Sequence, residues 1–219
     1  MGKFRNSGAA RGASSIASLR LGVLISGRGS NFEAISNAIN VGKLDAEIAV
    51  VISNRASAAG LEMARERGIP LRVIPSQGMD REKYDKQVIE ELRTHEVDLV
   101  CLAGFMRLLS AAFVQAFPNR VINIHPSLLP AFPGLDAQKQ AFEYGVKIAG
   151  CTVHFVDEFL DSGPIILQTA VPVLDKDTVE SLSARILLQE HGTYWRAIQM
   201  IAEERVSVEG RRVVMGDAA

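Results

Sequence analysis

Cysteine is scarce in this chain: two residues, Cys101 and Cys151, among 219. Both lie in apolar, strand-like runs, so buried free thiols in a reducing compartment are expected rather than a disulfide framework. An excess of either charge is also missing, with 24 Lys and Arg against 25 Asp and Glu. That balance leaves no basic footprint for nucleic acid. No apolar run reaches the roughly 20 residues of a membrane helix. Ligand spacing for zinc or calcium is absent as well, and the acidic run V-D-E-F-L-D is read as an exposed turn rather than a metal site. Acidic residues do not occur before Glu33. The stretch 1–19 is rich in Gly, Ala and Ser and lacks the apolar core of a secretory signal. It is expected to be a flexible leader to a single domain over 20–219, in the cytoplasm.

What is present is an alternation. R-L-G-V-L-I-S is an apolar run that meets a Gly-rich turn at Gly27 and Gly29, and Phe32, Ile35 and Ile39 then recur as on one helix face. A-E-I-A-V-V-I-S, I-P-L-R-V-I-P, V-D-L-V-C-L-A-G and R-V-I-N-I give four further strands. Between them fall helices through L-E-M-A-R-E-R, over residues 80–94 with Tyr84, Val88 and Leu92 inward, and near 110–117. Continuous Val/Ile/Leu strands separated by helices predict a doubly wound α/β domain with a mostly parallel sheet covered on both faces. After Pro130 the strands lengthen. K-I-A-G-C-T-V-H-F-V and P-I-I-L-Q-T-A-V-P-V flank a D-S-G-P turn and predict antiparallel additions at the C-terminal end. A long helix is expected from Asp177, with Glu180 completing a capping box, and a hairpin around Glu209-Gly210 follows.

Two places carry chemistry. S-G-R-G-S-N-F follows the first strand, where open α/β sheets bind ligands and a helix N-terminus offers free N–H groups to an anion. Ser30, with Glu33, also reads as a helix cap. Phe32 occupies the third glycine position of a dinucleotide fingerprint, and the second strand ends in Asn54-Arg55 without a ribose-binding acid, so a single phosphate is favoured. The other place is V-I-N-I-H-P-S-L-L-P. A period of two puts Asn123 and His125 on one face of the fifth strand. An amide N–H and an imidazole there suit an oxyanion or a proton transfer. The plainer alternative is a satisfied histidine and a turn-capping amide. His154 reads as a packed supporting group, His95 as solvated, and His191 as lining either a ligand or a surface.

L-I-S-G-R-G-S-N, L-A-G-F-M-R-L-L-S, N-I-H-P-S-L-L-P-A-F-P-G and V-H-F-V-D-E-F-L-D-S-G-P-I-I-L-Q together resemble the folate-dependent formyltransferase family. Within it they are most similar to the phosphoribosylglycinamide formyltransferases, over residues 20–205. The resemblance implies a catalytic trio of Asn123, His125 and Asp161. It implies phosphate binding by Gly29, Ser30 and Asn31, and contact of Glu190 with the nucleotide. Formyl-folate is implied to lie against Arg81, against Met106, Arg107, Leu108 and Leu109, and against Asp157, Glu158, Phe159, Leu160 and Asp161. The implied co-substrate is 10-formyltetrahydrofolate, with no metal, in a monomer or homodimer. Asp136 departs from the family, which commonly has a histidine there. S-L-L-P-A-F-P-G differs from the S-L-L-P-x-x-R-G loop of the methionyl-tRNA enzymes, and Pro126 stands where the deformylases carry a second histidine. A non-catalytic nucleotide-binding module is the reading from another class.

Overall fold

The computed structural model describes residues 18–216. The leader expected over 1–19 lies outside them except for its last two residues, and Leu19 already opens the first strand. Five strands, β1 (Leu19–Ile25), β2 (Ala46–Ser53), β3 (Leu71–Val73), β4 (Leu99–Leu102) and β5 (Val121–His125), alternate with four helices. These are α1 (Ser30–Asn40), α2 (Gly60–Glu66), α3 (Arg81–Thr94) and α4 (Ala111–Ala116). After them come α5 (Ala137–Tyr144), β6 (Ile148–Phe155), β7 (Ile165–Pro172), α6 (Val179–Ala202), β8 (Val206–Glu209) and β9 (Arg212–Met215). The main sheet runs β3-β2-β1-β4-β5-β6-β7. Its first five strands are parallel; β6 then pairs antiparallel with β5, and β7 antiparallel with β6, as the longer strands around D-S-G-P predict. β8 and β9 pair as a separate hairpin.

Alternation along β1 divides the core between the two faces of the sheet. Leu21, Val23 and Ile25 pack with the α1 and α6 side chains Phe32, Ile35, Ile186 and Ile198. Leu24 points the other way, toward Tyr84, Val88 and Leu92 of α3 and Phe113 of α4. This two-sided burial is why the strands read as unbroken apolar runs. Cys101 and Cys151 are buried and unbridged, as expected.

Three local expectations change. α5 has no counterpart in the sequence reading. α6 begins one residue later than expected: Thr178 is the cap, exchanging bonds with Ser181 rather than Asp177 with Glu180. The Asp177 carboxylate is instead held by Arg185 at 2.7 and 2.8 Å and by the Leu174 N–H. At α1 the cap is Gly29, not Ser30, and no side chain bonds the first turn. Gly29 sits at φ 78, a left-handed conformation that glycine adopts without steric cost. The first-turn N–H groups of α1 are thereby left without a side-chain cap at the sheet edge.

Candidate active site

The strand order places three loops side by side. β1, β4 and β5 are consecutive neighbours in the sheet. The Gly-rich loop, residues 106–109 and His125 therefore leave the same carboxyl edge, at the switch point where open sheets bind ligands. A buried polar relay pins this edge. Ser26 Oγ accepts the Met106 N–H at 2.8 Å and donates to Asn54 Oδ1 at 2.7 Å.

Beside it opens a cavity of about 750 Å³, lined among others by Gly29, Ser30, Asn31, Arg28, Arg55, Met106 and Glu190. Glu190 comes from α6 and is buried, and Asn31 Nδ2 donates to its Oε2 at 2.8 Å. Burial pushes the Glu190 carboxyl above the usual carboxylate range, and the Asn31 bond opposes that shift. Thus the residues expected to meet phosphate and nucleotide face one space. The exposed guanidiniums of Arg28 and Arg55 add positive charge at its wall.

Asn123, His125 and Asp161 are also brought together, next to this cavity rather than on its lining; Ile124 and Pro126 provide the shared wall. Antiparallel register sets Asn123 opposite His154 of β6. His154 Nδ1 lies 2.8 Å from the Phe155 carbonyl, which can only accept, so Nδ1 carries the proton. Its Nε2 is then free to accept from Asn123 Nδ2 at 3.3 Å. Burial, the largest influence, lowers the His154 pKa and keeps the ring neutral. The bond orients the Asn123 amide and leaves its second N–H uncommitted.

Asp161 stands between the two histidines. Its Oδ2 lies 3.3 Å from His125 Nδ1, and its Oδ1 lies 3.8 Å from His154 Nε2. Oδ2 also accepts the Gly134 N–H at 2.8 Å. Asp161 is delivered by a tight turn: a Cβ added to Gly163 would fall 1.8 Å from the Phe155 carbonyl oxygen, so only glycine fits. His125 Nε2 lies 2.9 Å from the Phe132 carbonyl. Both nitrogens of His125 thus face acceptors, an arrangement satisfied in full by the doubly protonated ring.

The remaining expected folate contacts are spread along the edge. Arg81 is exposed at the start of α3, while Met106, Leu108, Phe159 and Leu160 are exposed apolar groups. Arg107 and Leu109 are half-buried, and Asp157 accepts the Phe159 N–H at 3.0 Å. Glu158 reaches Gln115 of α4 at 3.5 Å. Asp136 is exposed, in a left-handed conformation before α5, and bonds no helix N–H through its side chain. Sequence reasoning missed the link from His154 to Asn123, for which the T-V-H-F-V alternation was the signal. It also missed Gln138, which lines the cavity from the unforeseen α5. Among the described residues no group of three or more His, Cys, Asp or Glu is placed to hold a metal ion. No helix among them is long and apolar enough to cross a membrane.

A doubly wound sheet with a Gly-rich loop before α1, and with Asn123 and His125 of β5 meeting Asp161 of the β6–β7 turn, fits an α/β group-transfer enzyme. The chain belongs to the formyl transferase family, which matches residues 19–198. It is 46% identical over 187 residues to the phosphoribosylglycinamide formyltransferase of Escherichia coli (strain K12), covering 85% of this chain and 88% of that one. It is 48% identical over 190 residues to the trifunctional purine biosynthetic protein adenosine-3 of Homo sapiens, covering 86% of this chain and 19% of that protein. The chain spans between 14% and 19% of the length of such trifunctional relatives. Glycinamide ribonucleotide transformylase 1 from Symbiobacterium toebii superposes with a TM-score of 0.91 at 52% identity, covering 96% of this chain and 100% of that one.

Proposed function

We propose that this formyltransferase moves the formyl group of 10-formyltetrahydrofolate to the amine of glycinamide ribonucleotide, a step of purine biosynthesis. The observation that carries the reading is the Asn123–His154–Asp161–His125 cluster beside a cavity walled by the α1 N-terminal loop and Glu190. Gly29, Ser30 and Asn31 receive the nucleotide's phosphate, and Glu190 meets the nucleotide. The formyl-folate lies along Arg81, residues 106–109 and residues 157–161. The amine lone pair attacks the formyl carbon, forming a C–N bond while the carbonyl becomes an oxyanion. Asn123 donates its uncommitted N–H to that oxygen, and His125 supplies a second, cationic donor held by Asp161. Collapse of the intermediate breaks the bond to the folate nitrogen, which takes up the proton lost by the amine. On this reading the enzyme acts in the cytoplasm on small molecules, as a monomer or homodimer, with no metal, nucleic acid or membrane as partner.

The test offers purified protein 10-formyltetrahydrofolate with glycinamide ribonucleotide, methionyl-tRNA or water alone as acceptor. Formylated nucleotide is expected. Rapid release of free formate without transfer to the nucleotide would overturn the assignment.

A further inference from the structure

α3 meets the loop that leaves β4 through two consecutive side chains. Asp85 is buried, and its Oδ2 accepts the Ser110 N–H at 2.6 Å, fixing the far end of the loop. Tyr84 is wholly buried. Its ring stacks near Phe105 at 6.5 Å, and the Arg107 guanidinium lies 4.6 Å from its centroid. Among the described residues Arg107 has no acidic partner within ion-pair distance, and its Nε is buried without a hydrogen-bond partner. A half-buried cation with no anion is costly unless something compensates it. The negative face of the ring does so in part. Burial pushes the Tyr84 hydroxyl up to about 12 and Arg107 opposes this, so the ring is neutral at working pH and phenolate–guanidinium pairing plays no part.

We propose that Tyr84 is a positioning residue whose ring face holds the Arg107 guanidinium ready for a carboxylate of the folate co-substrate's glutamate tail. The inference rests on the folate reading of residues 106–109 and adds to it the group that aims the cation. A guanidinium stacked on a ring face keeps its outer N–H fork in a fixed plane, the geometry a carboxylate needs. A free arginine would have to be ordered on binding, which weakens affinity without touching the chemical step.

The test is steady-state kinetics on the full chain, with the tail-bearing co-substrate and with a formylated tetrahydropteroate that lacks the glutamate. Tyr84→Met, which keeps an apolar side chain but removes the ring, is expected to raise KM for the tail-bearing co-substrate by about fivefold to thirtyfold. The tail-less analogue should keep its KM, and kcat should stay within about twofold. Tyr84→Phe retains a ring face and should stay within about threefold in KM. In an Arg107→Ala background, Tyr84→Met should add nothing further, because both changes remove the same contact. Arg107→Lys leaves the core untouched and gives an independent reading. Its compact ammonium cannot stack as the planar fork does, so KM for the tail-bearing form should rise several-fold. Additive effects of Tyr84→Met and Arg107→Ala, equal KM changes for both co-substrates, or an unchanged KM in Arg107→Lys would overturn the proposal while the folate reading stood. Failure of the unmutated chain to use either co-substrate would instead remove the folate reading and this inference with it.

Discussion

Replacing Asp161 by Asn tests the proposed mechanism at its electrostatic centre. The change is nearly isosteric, and the new Oδ1 can still accept the Gly134 N–H that Asp161 Oδ2 takes at 2.8 Å. His154 Nε2, already accepting from Asn123, lies 3.8 Å from Asp161 Oδ1 and makes no hydrogen bond to it that the change could break. The turn therefore keeps its ties, and what is lost is a charge 3.3 Å from His125 Nδ1. At that separation the attraction for an imidazolium is about 5 kcal/mol at an effective dielectric of about 20, and about 1 kcal/mol in bulk water. The side chains of His125 and Asp161 are only 5% and 10% exposed, so the pair sits nearer the first limit. If that imidazolium stabilises the transition state, kcat should fall by at least about a hundredfold, the size of losing one oxyanion donor. The assay is formyl transfer to the nucleotide at saturating co-substrates, with nucleotide binding by calorimetry and melting temperature as controls. A kcat within about threefold of the unmutated chain would refute the reasoning. So would a loss carried wholly by weaker nucleotide binding, since the phosphate loop lies on other strands.

Asn123→Ala removes the uncommitted N–H and should lower kcat by about 10² to 10³ with nucleotide affinity preserved, read by the same two assays. Glu190→Gln should raise the melting temperature of the ligand-free protein at neutral pH. A carboxyl whose folded pKa is raised contributes its stability fully below the unfolded value, near pH 4, and loses it as pH rises through the folded value. The gain should accordingly vanish toward pH 4 in calorimetric scans, while nucleotide binding is weakened at every pH. Arg28→Ala, which deletes an exposed cation at the cavity wall, should weaken nucleotide binding several-fold at low salt and progressively less as salt screens the site. An effect independent of ionic strength would rule out a Coulombic role for Arg28.

The fold was legible wherever burial on both faces forced an unbroken apolar strand. β1, β2, β4 and β5 announce themselves in that way, and the D-S-G-P turn told correctly that β6 and β7 reverse direction. α5 was not legible because its eight residues follow a proline-rich loop and open from Asp136 at φ 55, without any capping signal. The cap of α6 slipped by one because Asp177, a good cap by type, is engaged by Arg185. In the site, strand period alone put Asn123 and His125 on one face. Asp161 came only from family resemblance, since no local pattern spans 36 residues. Tyr84 was read as an inward-facing helix residue, which it is. That its ring also holds a cation depends on where the loop after β4 folds, and such information is long-range.

The two proposed oxyanion donors do not start from the same condition. Asn123 has one N–H committed to His154 and the other uncommitted, so it is set before any substrate arrives. His125 Nε2 is engaged by the Phe132 carbonyl at 2.9 Å and must exchange that acceptor for the formyl oxygen. Trading one hydrogen bond for another costs little when both are made. The Phe132 carbonyl keeps a donor after the trade, since Ser127 Oγ lies 3.3 Å from it. Asp161 keeps its place through Gly134 and continues to hold Nδ1. Substrate binding therefore redirects one His125 N–H from the Phe132 carbonyl to the formyl oxygen, while Asp161 stays against Nδ1.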